Sequence, residues 1–479
     1  TNSHTAMNEN KVQELQDVVI RFSGDSGDGM QLTGTLFSDT SALLGNGIST
    51  FPDYPAEIRA PQGTVAGVSG FQVHFGAKRQ LNPGDFCDVL IAMNPAALKA
   101  NRKWLKPGAT VILDEDSITE EHLRKAGFAT LDPIRELNLE DFNVVVPNIT
   151  EMTKAALADS GLDNKAMVKC KNMFALGICF YLYNRPEDHA KRYLDSKFAK
   201  KNPAIAEANK RAIDAGYNYA ANTHQFANTY TVASGQMEKG TYRSISGNVA
   251  TAWGLCAASE KSGLPLFCGS YPITPATVIL EELAKRKDLG VKTVQAEDEI
   301  AGICTAIGAS FAGNFAVTTT SGPGLSLKSE ALGLAVMTEL PLVVVDVQRG
   351  GPSTGLPTKT EQSDLQQALY GRNGESPVAV IAASMPSDCF HYAFEAGRIA
   401  MEHMTPVVLL SDGFIANGSE PWKIPSMKDY PTINPPIIDK TEDGGPFMPY
   451  ARNEKLARSW AFPGKAGLEH RVGGLEKDK

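Results

Sequence analysis

Several features that would place this 479-residue chain in a special class are missing from it. No apolar run is long enough to cross a bilayer. No basic stripe stands out, and the net charge of −8 argues against a nucleic-acid-binding protein. Residues 1–7 are polar and lack the apolar core of a signal peptide, and Met7 could be the natural start. We therefore expect a protein of the cytoplasm.

Cysteine pairs are missing as well. The chain has seven cysteines but no Cys-x-x-Cys pair. Most of them lie in apolar stretches, where a reduced cysteine behaves as a small hydrophobic side chain. The pattern fits a reducing compartment and offers no ligand set for zinc or for an iron–sulfur cluster. If the protein works with such a cluster, the cluster must be on another chain. The cysteines are Cys87, Cys170, Cys179, Cys256, Cys268, Cys304 and Cys389.

The pattern of apolar runs predicts an α/β protein with two or three domains, since 479 residues are too many for one core. Residues 15–205 predict a first domain with a mainly parallel, Rossmann-like sheet, because strand patterns alternate there with helical ones. Residues 184–241 are polar and alanine-rich, and we interpret them as terminal helices of the first domain followed by a linker over residues 206–240. The predicted strands of the first domain cover residues 18–22, 89–93, 109–113 and 144–147.

Residues 241–420 predict a second domain with a doubly wound α/β fold, because six apolar runs alternate with helical patterns. Its first helix is expected to stop near Gly263. Residues 421–479 are proline-rich and weakly periodic, which indicates an extended arm lying on a partner. The six strands are predicted near Leu264, Val291, Ala316, Leu342, Val378 and Val407.

A glycine loop follows the first strand of the first domain, from Ser23 to Gly29. Its spacing is Gly-x-x-Gly-x-Gly, which is neither the dinucleotide pattern nor a P-loop, since no Gly-Lys-Ser/Thr follows. A strand, a glycine loop and a helix in this order still direct backbone N–H groups at a phosphate. A tight turn without a ligand is the alternative.

Three segments of the second domain carry candidate chemistry. The first, Ser270 to Ala276, places the hydroxyl of Thr274 between two prolines just past a strand end, where open α/β sheets bind ligands. An ordinary proline turn would have the same composition. The second, Gln295 to Gly302, has three acids in a row at the start of a helix lined with small residues.

Of the three acids, Asp298 is suited to cap the helix, but one cap does not explain three carboxylates. Packed acids raise each other's pKa, and a carboxyl that keeps its proton is a candidate for proton chemistry. The third segment, Gln348 to Gly355, places Arg349 after a buried strand and before two glycines. A guanidinium beside exposed N–H groups predicts an anion site for a small acid, with a structural loop as the alternative.

Together these segments resemble the α subunit of the 2-oxoacid:ferredoxin oxidoreductases, most closely the 2-oxoglutarate enzymes with a γ domain fused ahead of α. The resemblance runs from about Val18 to about Pro421. It implies thiamine diphosphate, Mg²⁺, a [4Fe–4S] cluster and coenzyme A as cofactors. The α chain would supply the pyrimidine half of the thiamine site, and a β chain the diphosphate half, the metal and the cluster. The motifs that carry it are residues 247–250, 271–275, the helix after Glu299, 320–324 and 348–355.

The resemblance also implies residue roles. Glu299 would bond the thiamine pyrimidine, since thiamine enzymes place this glutamate nine residues ahead of a glycine and Gly308 stands there; Glu297 is the alternative. Tyr271 and Thr274 would orient the 2-oxoacid or the cofactor. Arg349 would bind a substrate carboxylate: the distal one for 2-oxoglutarate, or only the 1-carboxylate, which leaves pyruvate open.

For the first domain the resemblance implies coenzyme A binding at the glycine loop. The residues concerned are Gly24, Ser26, Gly27 and Gly29. Arg59 would face the same anion or pair with Glu57.

At the level of the assembly, the resemblance implies an (αβ)₂ heterotetramer that transfers electrons to ferredoxin. Run backward, as in a reductive TCA cycle, the reaction would fix CO₂. The family usually continues with a further α/β domain after the arm; the 479 residues given end before such a domain, so either the sequence stops early or the domain is lacking. Two rival functions are a nicotinamide or flavin dehydrogenase on the first domain, and a non-catalytic scaffold that organises a partner.

Overall fold

A computed structural model describes residues 11–56, 60–235 and 237–473. The chain divides into two compact units between Lys239 and Gly240. The boundary coincides with the end of the predicted linker, but the first half of that segment is helical. A 21-residue helix, Pro203–Thr223, fills its first half, because Asn202 caps it with its side chain and proline stands at its first turn. The predicted Arg59 and Glu57 lie outside the described residues.

The first unit contains a two-stranded and a six-stranded sheet with helices around them. Its strands are β1 (Lys11–Leu15), β2 (Asp17–Asp25), β3 (Gly47–Asp53), β4 (Val68–Gly76), β5 (Cys87–Ala92), β6 (Leu105–Leu113), β7 (Asn143–Val145) and β8 (Asn228–Val232). Its helices are α1 (Met30–Leu43), α2 (Pro95–Asn101), α3 (Glu120–Lys125), α4 (Pro133–Glu136), α5 (Ile149–Ala156), α6 (Asn164–Val168), α7 (Lys171–Leu182), α8 (Asp188–Leu194) and α9 (Pro203–Thr223).

The larger sheet of the first unit has the order β3-β4-β2-β5-β6-β7. The four predicted strands, β2, β5, β6 and β7, are parallel, as expected. Two strands that the sequence analysis missed, β3 and β4, extend the sheet in antiparallel fashion. β3 contains Pro52, which fits its place at the sheet edge, where one side of the strand needs no ladder hydrogen bond.

The second unit holds another six-stranded sheet and a short antiparallel pair. Its strands are β9 (Tyr242–Ser246), β10 (Leu266–Ser270), β11 (Lys292–Gln295), β12 (Phe315–Thr320), β13 (Leu342–Gln348), β14 (Ala379–Ala382), β15 (Pro406–Asp412) and β16 (Ser419–Lys423). Its helices are α10 (Gly247–Ser262), α11 (Thr277–Ala284), α12 (Glu299–Phe311), α13 (Gly322–Leu327), α14 (Ser329–Thr338), α15 (Leu365–Tyr370), α16 (Asp388–His403) and α17 (Gly413–Asn417).

All six predicted strands of the second unit are present, and they form one parallel sheet in the order β11-β10-β12-β13-β15-β14. The first helix, α10, ends at Gly263, which has φ 70° as a left-handed cap requires. The chain leaves β10 toward β11 on one side and returns to β12 on the other. This reversal of direction opens a crevice at the carboxyl ends of β10 and β12, where doubly wound sheets bind their ligands.

The arm over 421–479 is largely irregular in its described part, as predicted, but it packs on its own unit. Trp460 is 1% exposed, and its indole N–H donates to the carbonyl of Ser310 at 3.2 Å. Arg458 is also buried and donates to the carbonyl of Glu339 at 2.9 Å. Because an aromatic core residue and a bonded guanidinium hold it, the arm contributes to the stability of the second unit. Across the described residues, no helix combines the length and the apolarity that a membrane crossing requires.

Candidate active site

The turn after β10 forms one wall of the crevice. Tyr271 is 6% exposed and its hydroxyl bonds the hydroxyl of Thr320 at 3.0 Å, whereas the Thr274 side chain is exposed. The turn is anchored from α10, because the Asn248 side chain donates to the carbonyl of Pro275 at 2.9 Å. The turn thus buries a phenol and offers a threonine hydroxyl to the solvent side.

The acidic segment forms the second wall. Asp298 caps α12, as predicted, by accepting a hydrogen bond from the N–H of Ala301 at 2.8 Å. Glu299 is the first residue of α12 and is half-buried, while Glu297 is exposed. Of the three acids, therefore, one is a cap, one faces solvent, and Glu299 alone is partly enclosed.

Small residues let α12 approach the end of β10. A Cβ added at Gly269 would collide with the Thr305 hydroxyl and lie 2.7 Å from the carbonyl of Gly302. A Cβ added at Gly302 would lie 3.3 Å from the Cα of Ser270. The small side chains serve this close packing of helix on strand, which fixes where Glu299 enters the crevice.

The two walls meet at the glycine turn after β12. A Cβ added at Gly324 would overlap the hydroxyls of Thr320 and Tyr271, and it would lie 3.1 Å from Cγ of Glu299. Three polar side chains from three segments therefore converge on one backbone point. Burial raises the pKa of the Tyr271 phenol, and the negative charge of Glu299 adds to the effect, so the phenol stays neutral at physiological pH.

Arg349, at the end of β13, joins two of the predicted segments. One terminal nitrogen donates to the carbonyl of Thr274 at 2.8 Å, and the other donates to the carbonyl of Thr354 at 2.8 Å. Arg349 is 7% exposed, and its Nε–H has no hydrogen-bond partner. Burial lowers the pKa of the guanidinium, which Tyr271 and Glu299 partly oppose. Three of the five N–H donors remain for a ligand after the two backbone bonds.

Lys328, which the sequence analysis missed, lies behind the crevice between α13 and α14. It is fully buried, and its ammonium donates to the carbonyl of Glu299 at 2.7 Å and to the Thr318 hydroxyl at 3.2 Å. The nitrogen also lies 5.0 Å from the centre of the Tyr271 ring. Burial lowers the pKa of Lys328 to about 8. In the sequence, Lys328 stands out only as a charged residue four positions after Gly324, in a motif dominated by small and apolar residues.

A buried acid pair lies at the base of the Arg349 loop and was also missed. Asp346 of β13 is fully buried, and neither of its oxygens has a conventional donor. Burial, reinforced by the neighbouring Asp364 carboxyl, raises the pKa of Asp346. The N–H of Asp364 donates to the Gln348 side chain at 2.9 Å. Burial thus favours the protonated form of Asp346, and the Gln348 contact ties Asp364 to the end of β13.

In the first unit, the glycine loop ends at Gly29, whose φ of 72° begins α1. Two acids of this loop accept hydrogen bonds from backbone N–H groups. The Asp28 carboxylate accepts from the N–H of Asp25 at 2.8 Å, and the Asp25 carboxylate accepts from the N–H of Gly63 at 3.1 Å. Lys171 lies 3.5 Å from Asp28 and offsets one of the two negative charges. The loop is thus partly filled by its own carboxylates.

The part of the chain that the structure describes shows no evident metal site. The described residues contain no group of three or more His, Cys, Asp or Glu side chains arranged to hold an ion. All seven cysteines are free, and only Cys304 is exposed.

Comparisons with known proteins agree with the two-unit division. Residues 19–219 match a family described as pyruvate ferredoxin/flavodoxin oxidoreductase. Residues 260–479 match a family described as the thiamine-diphosphate-binding part of pyruvate flavodoxin/ferredoxin oxidoreductase.

Two relatives match nearly the whole chain. The 2-oxoglutarate oxidoreductase subunit KorA of Mycobacterium tuberculosis is 56% identical over 97% of this chain and 70% of its own length. The structure of 2-oxoglutarate:ferredoxin oxidoreductase from Magnetococcus marinus, with 2-oxoglutarate, coenzyme A and succinyl-CoA bound, is 33% identical. It superposes with a TM-score of 0.81 over 97% of this chain and 75% of that one. The 2-oxoglutarate synthase subunit KorA of Archaeoglobus fulgidus is 39% identical over 45% of this chain and 64% of its own length.

Proposed function

This chain belongs to the 2-oxoacid:ferredoxin oxidoreductases as a subunit of the alpha type, and we propose that its second unit forms the pyrimidine half of a thiamine site. With a β subunit it interconverts 2-oxoglutarate, coenzyme A and oxidised ferredoxin with succinyl-CoA, CO₂ and reduced ferredoxin. The observation that supports this role is the half-buried Glu299 carboxyl beside the neutral phenol of Tyr271.

The donor set at the crevice fits an aminopyrimidine. Thiamine diphosphate, when bound, supplies the nucleophilic carbon and the electron sink that decarboxylation of a 2-oxoacid requires. Glu299 would share a proton with the ring nitrogen of the pyrimidine, which makes the exocyclic amino group a better proton acceptor. Its partial burial strengthens that bond, because a low local dielectric strengthens hydrogen bonds. Glu297 is the weaker candidate, since it is exposed.

The other half of the cofactor requires a partner chain. The donors near the crevice do not fit Mg²⁺, since no cluster of three acids or imidazoles is found among the described residues. We assign the diphosphate, Mg²⁺ and the [4Fe–4S] cluster to a β subunit, in an (αβ)₂ heterotetramer that passes electrons to ferredoxin. We expect the assembly to be cytoplasmic. If it catalyses the reaction in the reverse direction, as in a reductive TCA cycle, it would fix CO₂.

Substrate binding falls to the groups that line the crevice. The exposed Thr274 hydroxyl and the neutral Tyr271 phenol would orient the 2-oxoacid. The three uncommitted N–H donors of Arg349 would hold its carboxylate with charge-assisted hydrogen bonds. If they hold the distal carboxylate, 2-oxoglutarate is preferred; if they hold only the 1-carboxylate, pyruvate is an equal substrate.

Coenzyme A binding is proposed for the glycine loop of the first unit. Gly24, Ser26, Gly27 and Gly29 are the candidate contacts. Because Asp25 and Asp28 already accept from N–H groups there, the loop suits the neutral or hydroxyl-bearing parts of the ligand better than a phosphate.

The proposed function is tested by co-expressing the chain with a β subunit. Thiamine content per αβ pair, and reduction of a low-potential dye with 2-oxoglutarate and with pyruvate, are measured on the same sample with coenzyme A present. One thiamine per pair and activity dependent on 2-oxoglutarate are expected. A purified pair that holds no thiamine, or that reduces the dye with neither 2-oxoacid, would contradict the proposal.

The role of Arg349 has its own comparison. Arg349→Ala is expected to raise the KM for 2-oxoglutarate far more than the KM for pyruvate, because pyruvate has no distal carboxylate. Arg372→Ala is the control, since Arg372 donates to backbone carbonyls at the end of α15 and to the oxygens of Ser376. Equal effects of Arg349→Ala on both substrates would exclude the distal-carboxylate assignment.

A further inference from the structure

A buried ammonium without a counter-carboxylate stands behind the proposed catalytic acid. Lys328 is 0% exposed, and both of its hydrogen-bond acceptors, the Glu299 carbonyl and the Thr318 hydroxyl, are neutral oxygens. Among the described residues it forms no ion pair within 4.0 Å. Burying a lysine in this way is costly, because its charge loses hydration without a paired charge in return.

The contacts of Lys328 connect the parts of the crevice to one another. Its side chain starts where α13 gives way to α14 and ends at the first turn of α12, at Glu299. On the way it passes 5.0 Å from the Tyr271 ring and bonds Thr318 of β12. A purely structural donor at this place would not need a charge. The ammonium adds electrostatic attraction for the Glu299 carboxylate to the bond that it makes with the Glu299 backbone.

We propose that Lys328 is a positioning residue for Glu299: its ammonium fixes the backbone from which the Glu299 carboxyl enters the crevice and keeps a positive charge behind that carboxyl. The inference rests on the proposed function, because Glu299 matters only if it bonds the cofactor. Nothing in the sequence pattern assigns Lys328 a role, and no other described residue donates to the Glu299 carbonyl from outside α12.

The charge of Lys328 also makes the arrangement sensitive to pH. The groups that act on its titration lie on α12, on β10 and on the turn that follows β10. Since the pKa of Lys328 is about 8, the ammonium loses its proton in the mildly alkaline range, and the positive charge behind Glu299 is lost with it. The groups that face the Lys328 ammonium are Glu299 and Cys304 of α12, its N-cap Asp298, Cys268 of β10, and the ring of Tyr271.

The test uses the αβ complex with three substitutions. Lys328→Met removes the charge and the donors, Lys328→Gln keeps a donor without the charge, and Lys328→Arg keeps the charge. Lys285→Met is the matched control, since Lys285 is 68% exposed and pairs only with Glu282 one turn away. For each variant the Kd for thiamine diphosphate is measured by titration, and kcat and KM for 2-oxoglutarate are measured across pH 6–10.

Lys328→Met is expected to weaken thiamine diphosphate binding and to lower kcat, each by about 10- to 100-fold, the effect of losing a charged hydrogen bond. The KM for 2-oxoglutarate should change little, and Lys328→Arg should restore part of the loss. The wild-type Kd should rise above pH 8, and this rise should be missing in Lys328→Met. Lys285→Met should match the wild type.

Wild-type Kd, kcat and pH profile in a folded Lys328→Met complex would overturn the inference. If Lys328→Met does not fold, Lys328→Gln decides: wild-type Kd and kcat in a folded Lys328→Gln complex, which lacks the charge, overturn it as well. Failure of the proposed function has a different outcome, because the wild-type pair would then hold no thiamine or reduce the dye with neither 2-oxoacid, and failure of the Glu299 assignment alone would leave Glu299→Gln with normal turnover. A silent Lys328→Met beside an inactive Glu299→Gln rejects only the role of Lys328.

Discussion

Adding one methyl group at Gly324 would test the convergence of the crevice. An alanine Cβ at this position would overlap the hydroxyls of Tyr271 and Thr320, which bond each other at 3.0 Å, and it would press on Cγ of Glu299 at 3.1 Å. The overlapped atoms cannot move freely, because Tyr271 and Thr320 are both buried. The methyl group therefore breaks their hydrogen bond and overpacks the start of α13.

These two effects give the expected loss in the free energy of unfolding. Overpacking of a core costs about 1–3 kcal/mol, and a lost hydrogen bond about 1 kcal/mol, so Gly324→Ala should lower the free energy of unfolding by roughly 2–4 kcal/mol. For a unit of this size, that is a fall in Tm of about 4–16 °C. A displacement of about 1 Å at Glu299 should reduce turnover by roughly 100-fold.

The assay combines thermal unfolding of the chain with turnover of the αβ complex. Gly333→Ala, in α14, is the matched control, because the nearest atom to its added Cβ is 4.0 Å away. It should raise the free energy of unfolding by about 0.5–1 kcal/mol, as alanine is the better helix former. Wild-type Tm and turnover in Gly324→Ala would refute the convergence of Glu299 and Tyr271 at this point.

Two further predictions concern stability. Trp460→Ala should lower the free energy of unfolding by about 3–5 kcal/mol in urea denaturation of the isolated chain, because it empties a core site; a change below about 1 kcal/mol would show that the arm does not pack on its own unit. Burial, reinforced by Asp364, raises the pKa of Asp346 above its unfolded value, so the stability that this proton confers is full at low pH and is lost as pH rises through the folded pKa. The side chain of Asp346→Asn is neutral at every pH, so the Tm of this variant relative to the wild type should rise from pH 5 to pH 9. A constant difference in Tm would contradict the raised pKa of Asp346.

The central strands of the second unit, β12, β13 and β15, could be predicted because each contains a short apolar run and is buried throughout, as is typical of parallel strands covered on both faces. The antiparallel β3 escaped prediction because Pro52 argues against a strand, and only the edge position in the sheet makes it acceptable. The extent of helix α9 was mispredicted for a different reason: terminal helices are expected in this stretch, but the polar, alanine-rich sequence after residue 205 resembles a linker, although Asn202 and Pro203 form a good helix start.

The residues of the candidate site likewise divide into those that could be predicted from the sequence and those that could not. Thr274, Glu299 and Arg349 stand beside prolines, acids and glycines in local patterns that indicate loops at strand ends. The structure brings the segments that carry them together, and the hydrogen bond from Arg349 to the Thr274 carbonyl joins two of them. Lys328 and Asp346 could not be predicted, because a buried charge within a helix junction or a strand differs from a surface charge only through its tertiary neighbours.

The most direct measurement of the central claim is the rate at which the thiazolium C2 proton of bound thiamine exchanges with deuterium in the αβ complex. Glu299→Gln keeps the size of the side chain but cannot share a proton with the pyrimidine, and Glu297→Gln is the matched control on the exposed neighbour. We predict that Glu299→Gln slows the exchange by about 100- to 10,000-fold, the range of general acid–base catalysis, and that Glu297→Gln leaves it unchanged. An unchanged rate in Glu299→Gln, with thiamine still bound, would contradict the account.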